Sequence, residues 1–149
     1  MARPRSASHD LKRDQILDVA AQCFARQSFP AASMNDIAAA CGTSKARLYH
    51  YYESKDAILF DLLDRYTQRL LGLIGEAEAR AQRKNLSERE ALNELVRAFL
   101  TEYENSATRH QALVSDTKFL GEAQRELILN RQRDVVAAFT RFLRRAYPQ

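Results

Sequence analysis

The sequence predicts an all-α protein. Its 149 residues include only 4 Gly and 3 Pro, while Ala, Leu, Arg, Glu and Gln recur throughout. Apolar residues recur at intervals of three and four along most of the chain, which is typical of amphipathic helices, and no segment shows the alternation of a half-buried strand. The length corresponds to one or two small domains.

A first helix is predicted after a polar arm that contains Arg3 and Arg5. We expect this helix to begin near Ser8 or Asp10 and to end within the segment QSFPAAS. One apolar set forms its buried face: Ile16, Val19, Ala20, Cys23 and Phe24.

The segment SMNDIAAACGTSKARLYHYYESK has the spacing of a helix-turn-helix. Ser33 is a suitable N-cap for a second helix, with Asp36 at the third position. Ala38 is small enough for two helices to cross closely, Gly42 allows the positive φ of a short corner, and Leu48 anchors a third helix. The sequence therefore predicts two short helices joined at Gly42.

The third helix carries hydrogen-bond donors on its outer side, and Thr43 or Ser44 is predicted to cap it. Bases expose donors and acceptors in the major groove, so a recognition helix needs polar side chains on one face. Four residues are candidates for contacts with base edges: Thr43, Ser44, Lys45 and Arg47. Arg47 is suited to a forked contact with guanine. The alternative is that these cations only increase solubility. Arg3 and Arg5 of the arm are candidates for a neighbouring minor groove or backbone of DNA, although such tails more often have no function.

The segment resembles the DNA-binding domain of the tetracycline-repressor (TetR) family of bacterial transcription regulators. The phrase LYHYYESKDAIL is similar to that family's Leu-Tyr-x-x-(Phe/Tyr)-x-x-Lys-x-x-Leu pattern, and the resemblance covers roughly the first 65 residues. It implies that Tyr49, His50 and Lys55 contact phosphates. Ser33 is expected to donate hydrogen bonds to a phosphate from its backbone amide and its hydroxyl. The family usually has glycine where Ser28 stands, so Ser28 must accept a left-handed conformation or the turn differs.

Four further helices are predicted. The fourth opens with a Ser54 cap, and Gly72 and Gly75 lie inside it, which makes a kink or fraying plausible there. The fifth begins at a Ser87 cap and presents a regular apolar stripe: Leu92, Leu95, Val96, Phe99, Leu100 and Tyr103. A shorter helix is expected over 107–120, and a long one from about Glu122 to Tyr147.

By resemblance, residues 1–53 form the helix-turn-helix domain, and residues 54–149 form a regulatory bundle that binds a small-molecule effector and dimerises. The effector would tilt the fourth helix and release the operator. Four residues are candidate ligand contacts: Phe99, Tyr103, His110 and Phe119. Ordinary packing is the alternative for each of them, and Arg109 and Asp116 are equally consistent with surface charges.

Members of the family commonly run some 40 to 60 residues further, and their last two helices build the dimer. The chain is thus expected either to be truncated or to form its homodimer through what is present, such as the long final helix.

Composition and motifs argue against several other classes of protein. The net charge is +4, and three of these charges belong to residues 1–55. No apolar run is long enough to span a membrane and no signal peptide is evident, so we expect a cytoplasmic protein. Cys23 and Cys41 lack metal-ligand spacing, and no catalytic or cofactor motif is present, so we expect no metal, no cofactor and no enzymatic activity.

The sequence therefore favours a regulator, most often a repressor, that binds a double-stranded DNA operator. The alternative is a helical protein-interaction module that retains the corner without specific operator binding.

Overall fold

Most of the described residues lie in helices. The computed structural model describes residues 5–149, with side chains from Lys12 onward. In this range no strand occurs, and a 3₁₀ turn, Thr117–Phe119, follows the sixth of seven α-helices. The helices are α1 Arg5–Gln27, α2 Met34–Ala40, α3 Lys45–Tyr51, α4 Lys55–Arg83, α5 Glu88–Asn105, α6 Ala107–Asp116 and α7 Glu122–Ala146. The all-α prediction is confirmed.

Four of the helices, α2 to α5, begin where a serine side chain caps them. The Oγ atoms of Ser33, Ser44, Ser54 and Ser87 each accept a hydrogen bond from a backbone N–H three residues on, at 3.1–3.2 Å. These bonds satisfy N–H groups that have no partner within the helix. All four serines were predicted as caps or cap candidates, because the signal lies within one helical turn.

Two predicted features of α1 and α4 differ from the structure. Helix α1 begins at Arg5, before the predicted start near Ser8 or Asp10, because no glycine or proline follows to interrupt it. Arg3 and the side chain of Arg5 lie outside the described residues. Helix α4 continues through Gly72 and Gly75 to Arg83, so the glycines do not end it.

One compact unit contains the helix-turn-helix. It comprises the chain as far as Leu63, together with Thr108–Gly121. Helix α1 packs against α2, and α2 packs against α3. Fully buried residues from each of these helices and from α4 form its interior: Leu17, Ile37, Leu48, Ile58, Leu59 and Leu62. The recognition helix is thus held by apolar contacts on its inner side.

A second unit comprises Asp64–Ala107 and Glu122–Gln149. Its core is formed by residues from α4, α5 and α7: Ile74, Ala77, Ala91, Leu92, Leu95, Ala138, Phe142 and Ala146. The rings of Phe99 and Phe139 meet edge to face at 4.7 Å beside this core. This unit is therefore a three-helix layer closed by apolar contacts.

The compact units do not follow the predicted division at residue 53. The segment Thr108–Gly121 belongs with the helix-turn-helix, because Arg109 pairs with Asp18 of α1 and Phe119 stacks on Phe29. The functional division into residues 1–53 and 54–149 stays a prediction.

The apolar stripe of α5 is only partly buried. Leu92 and Leu95 lie in the core, whereas Val96, Leu100 and Tyr103 are 38%, 60% and 53% exposed. The second unit therefore buries only part of the apolar stripe of α5.

None of the described helices is long and apolar enough to cross a bilayer.

Candidate nucleic-acid interface

The corner between α2 and α3 is formed by four residues, Cys41 to Ser44. Gly42 adopts φ = 67°, and the Thr43 N–H donates to the Ala38 carbonyl at 3.0 Å. Ala38 and Leu48 are 3% and 0% exposed, respectively. A left-handed residue closes the turn, and the small Ala38 lies buried beside it. The predicted helix-turn-helix is present, with Gly42 at its corner.

Helix α3 exposes a cationic surface. Lys45, Arg47, Tyr49 and His50 are all exposed, whereas Leu48 is fully buried. No acidic residue lies within Lys45–Tyr51. The Lys45 Nζ lies 5.9 Å from the centre of the Tyr49 ring, which is 44% exposed and so does not pack under the corner. The structure thus brings these four side chains to one short, exposed helix.

Thr43 and Ser44 lie at the start of this surface. Ser44 is exposed and caps α3 by accepting from the Arg47 N–H at 3.1 Å, which leaves its own hydroxyl proton available to a partner. Thr43 is partly buried and lines a cavity of about 70 Å³ together with Arg47. Residues of α1 and of the corner line the rest: Lys12, Gln15, Ile16, Val19, Cys41, Leu48 and Tyr51.

Cys41 is a partly buried thiol at this cavity. Its pKa is raised by burial, and further raised by the nearby Cys23 thiol, while Lys12 acts in the opposite direction. Cys23 is fully inside the core, and neither cysteine forms a disulfide. A raised thiol pKa means little reactive thiolate at neutral pH.

Ser33 lies at the first turn of α2 in a reciprocal capping box. Its Oγ accepts from the Asp36 N–H at 3.1 Å, and its own N–H donates to the Asp36 Oδ2 at 3.0 Å. The amide predicted to bind phosphate is therefore already engaged by a carboxylate. The Ser33 hydroxyl proton is the remaining donor for a phosphate.

Lys55 is placed differently from the expectation that its ammonium group contacts a phosphate. Its Nζ donates to the carbonyl oxygens of Phe29, Pro30 and Ala32 at 2.7, 3.1 and 3.0 Å. It also lies 4.6 Å from the centre of the Phe29 ring. An ammonium group has three N–H donors, so the loop between α1 and α2 engages all of them. A direct bond from Nζ to phosphate would require the loss of one of these hydrogen bonds.

The candidate ligand contacts are divided between the two compact units. Phe99 and Tyr103 belong to the second unit, where Phe99 packs on Phe139 and Tyr103 is exposed. His110 and Phe119 belong to the first unit, where Phe119 stacks on Phe29 at 5.3 Å.

A second cavity lies in the second unit, with a volume of about 340 Å³. It is lined by residues of α4, α5, α7 and the loop between α4 and α5: Glu78, Ala81, Gln82, Asn85, Leu86, Glu88, Ala91, Phe142 and Arg145. None of the four candidate ligand contacts lines this cavity or the one beside Thr43.

Sequence reasoning missed the role of Arg109. This residue is only 15% exposed, and its Nη2 lies 2.7 Å from Asp18 Oδ1 and 3.7 Å from Asp14 Oδ1. The two aspartates stand one turn apart on α1, so one guanidinium group spans both. Asp116 is also buried rather than exposed, and burial raises its pKa. The ion pairs of Arg109 join residues 91 and 95 positions apart, so no local pattern indicates them.

Residues 16–62 match the family model described as bacterial regulatory proteins, tetR family. The chain is 35% identical over 96 residues to the putative mycofactocin biosynthesis transcriptional regulator MftR of Mycobacterium tuberculosis, which covers 64% of this chain and 46% of that protein. It is 32% identical over 102 residues to the HTH-type transcriptional repressor KstR2 of Rhodococcus jostii, covering 68% and 47%. The chain thus spans about half the length of these curated relatives.

The fold is similar to that of a solved TetR-family transcriptional regulator from Bordetella parapertussis 12822. The TM-score is 0.84 and the identity is 34%, over 91% of this chain and 69% of that one. The resemblance inferred from the LYHYYESKDAIL motif is confirmed, and the similarity extends well beyond the helix-turn-helix. The chain belongs to the TetR family of bacterial regulatory proteins.

Proposed function

We propose that this protein is a sequence-specific, DNA-binding transcriptional regulator that acts in the cytoplasm on a double-stranded operator. The observation that carries the proposal is the surface of α3, where Lys45 and Arg47 are exposed without a neighbouring acidic residue on that helix. Leu48 fixes the opposite side in the core. A short cationic helix held in this way fits the major groove.

Each exposed side chain has a distinct proposed role. Arg47 reads a base edge, with a forked contact to guanine as the preferred mode. Thr43, Ser44 and Lys45 supply further donors to base edges. Tyr49, His50 and the Ser33 hydroxyl contact phosphates, which position the helix without reading sequence. Lys55 is assigned here to the support of the loop rather than to the DNA surface.

We further propose that the protein is a homodimeric repressor that an unidentified small molecule releases from its operator. Two-fold symmetry would present two recognition helices to half-sites one DNA turn apart, roughly 34 Å. Support comes from the family and from the name of KstR2, a transcriptional repressor. Phe99, Tyr103, His110 and Phe119 remain candidate ligand contacts. No catalytic step is part of this function.

The exposed apolar residues of α5 favour a second candidate function, a helical protein-interaction module. The two candidates differ in their DNA affinity. A regulator should bind its operator at least about 10³-fold more tightly than random duplex, with an affinity that falls steeply with salt. Equal affinity for both duplexes would favour the interaction module.

The test begins with selection of bound duplexes from a random pool. We expect the wild-type protein to enrich a two-fold symmetric sequence, and Arg47→Ala to lose preference at one position of each half-site, at a cost of about 1–3 kcal/mol for the best sequence. The matched control is Arg26→Ala, which removes the same charge from an exposed site at the end of α1. Identical enrichment by wild-type and Arg47→Ala proteins would remove the assignment of Arg47.

A further inference from the structure

The cavity beside Thr43 lies between α1 and α3 in the first unit, next to the surface of α3 that we assign to DNA. Its volume is about 70 Å³. Pockets for drug-sized ligands typically measure about 300–1,000 Å³, so only a group of a few atoms fits here. Helix α1 contributes Lys12 and Gln15 to the wall, and the corner and α3 contribute Thr43 and Arg47. The cavity therefore joins polar side chains of two helices at the edge of the recognition surface.

The side chains around this cavity favour an anion. Lys12 and Arg47 are cationic, and no acidic residue is among the described residues that line the cavity. The Cys41 thiol, whose pKa burial raises, stays largely uncharged at neutral pH. The Gln15 amide adds a neutral N–H donor. Cations combined with a neutral donor suit a phosphate group, whose oxygens accept hydrogen bonds and carry the negative charge.

Lys12 has an ammonium group that is available to a ligand. Its neighbours on α1 are engaged: the Arg13 guanidinium lies 5.2 Å from the centre of the Tyr52 ring, and Asp14 Oδ1 lies 3.7 Å from Arg109 Nη2. Lys12 itself is exposed, and its ammonium forms no hydrogen bond or ion pair with another described residue. The charge of Lys12 is thus not neutralised within the described part of the chain.

The position of Lys12 also suits the DNA backbone. Lys55, the cation that the family resemblance assigns to a phosphate, donates all three of its N–H groups to the loop between α1 and α2. Lys12 lies on another helix, at the side of α3 that borders α1. In helix-turn-helix proteins the recognition helix enters the major groove, while a preceding helix crosses the sugar-phosphate backbone. A cation on α1 beside α3 would therefore meet a phosphate rather than a base edge.

We propose that the cavity between α1 and α3 holds one phosphate group of the DNA backbone, with Lys12 supplying the charge and Gln15 a neutral donor. Arg47 borders the same cavity and adds to the local positive field while its guanidinium reads a base edge. The inference rests on the proposed DNA-binding function, to which it adds a contact from α1. Phosphate contacts position a protein without reading sequence, so Lys12 strengthens binding to every duplex alike.

The first experiment measures the salt dependence of DNA affinity for wild-type protein and for Lys12→Met. We expect the variant to bind the selected operator and random duplex more weakly by the same factor. The slope of log affinity against log salt should fall by about 0.9 per bound protomer. The matched control is Lys84→Met, which removes an exposed ammonium group from the second unit. An unchanged slope for Lys12→Met, or an equal loss for Lys84→Met, would overturn the inference.

A charge placed at Gln15 tests the cavity itself. Gln15→Glu puts a carboxylate on the cavity wall, and we expect operator affinity to fall at least about tenfold at about 0.15 M salt. The matched control is Gln22→Glu, at an exposed position seven residues further along α1 that does not line the cavity. This position is about 10 Å away along the helix axis, beyond the Debye length of about 8 Å, so we expect less than about a twofold change. Equal losses in the two variants would mean that only the total charge of α1 matters, which contradicts the proposal.

Neutral methylphosphonate linkages, placed one at a time in the duplex, identify the phosphate. At one position for each bound protomer, we expect the replacement to weaken wild-type binding about tenfold and to have little effect on Lys12→Met, because that variant has already lost the charge pair. A purely structural role of Lys12 would leave the two effects additive at every position, and additivity throughout would exclude the contact.

Free phosphate is the other source of the same chemistry. Inorganic phosphate is titrated into wild-type protein in place of chloride at constant ionic strength, and the amide NMR signal of Thr43 is followed. A saturable shift that Lys12→Met abolishes, together with additive methylphosphonate effects, would assign the cavity to free phosphate and overturn the DNA contact.

Failure of this inference can be separated from failure of the proposed function. Wild-type protein that shows no preference for any duplex would count against the sequence-specific regulator, whereas the salt slope of Lys12→Met on random duplex would still test the phosphate site. Specific operator binding with an unchanged slope for Lys12→Met would remove the phosphate site and leave the regulator in place.

Discussion

Replacing Lys55 by methionine separates two roles that the sequence alone cannot distinguish. Methionine keeps most of the length of the stem but removes the charge and all three N–H donors. If Lys55 anchors the loop, as its bonds to Phe29, Pro30 and Ala32 indicate, the variant loses stability. If Lys55 binds phosphate, the variant loses electrostatic affinity for DNA instead.

The magnitude of the stability loss follows from the contacts. Each of the three hydrogen bonds contributes on the order of 0.5–1.5 kcal/mol, and the contact with the Phe29 ring contributes about 0.5–1 kcal/mol. Two of the carbonyl groups are partly buried, so their loss of a partner is not fully offset by water. We expect the free energy of unfolding to fall by about 2–4 kcal/mol, which corresponds to roughly 5–15 °C in the midpoint of thermal unfolding.

The assay pairs thermal unfolding with the salt dependence of operator affinity. A phosphate contact contributes about 0.9 to the slope of log affinity against log salt, and a dimer has two copies of each residue. For Lys55→Met we expect an unchanged slope and a lower unfolding midpoint. The matched control is Lys45→Met on the exposed side of α3, for which we expect a change in the slope or in the sequence preference, and an unfolding free energy within about 0.5 kcal/mol of wild type.

The reverse pattern would refute the reasoning. If Lys55→Met reduced the slope by about 1.8 per dimer and left the midpoint unchanged, Lys55 would be a phosphate contact, as the family resemblance implies.

Three further changes test particular positions. Replacing Gly72 and Gly75 by alanine should stabilise α4 by roughly 0.5–1 kcal/mol each in denaturant unfolding, because both lie in the helix and an added Cβ meets no atom within 4 Å; a loss of stability would show strain there. Ser28 has φ = 75°, so Ser28→Gly should stabilise by about 0.5–1 kcal/mol without changing DNA affinity, and no gain would mean that the loop bears little strain. Burial raises the pKa of Asp116 in the folded protein above 3.8, so the free energy of unfolding falls as the pH rises past that value. Asp116→Asn should therefore be more stable than wild type at pH 7, and the difference should vanish well below pH 3.8. A difference that stays constant across pH would contradict this reasoning.

Local features of the corner could be predicted because their signals lie within a few residues. Ser33 with Asp36, Gly42 and Ser44 are each recognisable from the chemistry of one turn, and the structure places them as caps and corner. Ser28 adopts the left-handed conformation, which is one of the two alternatives that the family resemblance left open at this position. Short-range geometry leaves few alternatives at such positions.

Long-range contacts could not be predicted in the same way. Lys55 meets a carbonyl 26 residues away, and Arg109 meets a carboxylate 91 residues away, so neither pairing leaves a pattern in the sequence. The exposed half of the α5 stripe has a similar origin. Periodicity identifies an apolar face, but it does not show which part of that face is buried. In the structure Leu92 and Leu95 lie in the core, and the rest of the face does not.

The position of α3 depends on a loop that contains no glycine, residues 28–33. The Ser28 N–H donates to the Phe24 carbonyl at 3.0 Å, and the Ala32 N–H donates to the Ser28 carbonyl at 3.1 Å. Lys55 and the Ser33 capping box then fix the end of the loop at the first turn of α2. Since α2 leads directly into the corner, the loop determines where the recognition helix lies, whereas the exposed side chains of α3 determine what it reads. Substitutions in the loop should therefore change the free energy of unfolding without changing the salt dependence of DNA affinity. Substitutions on the exposed side of α3 should instead change that salt dependence or the sequence preference without changing the free energy of unfolding.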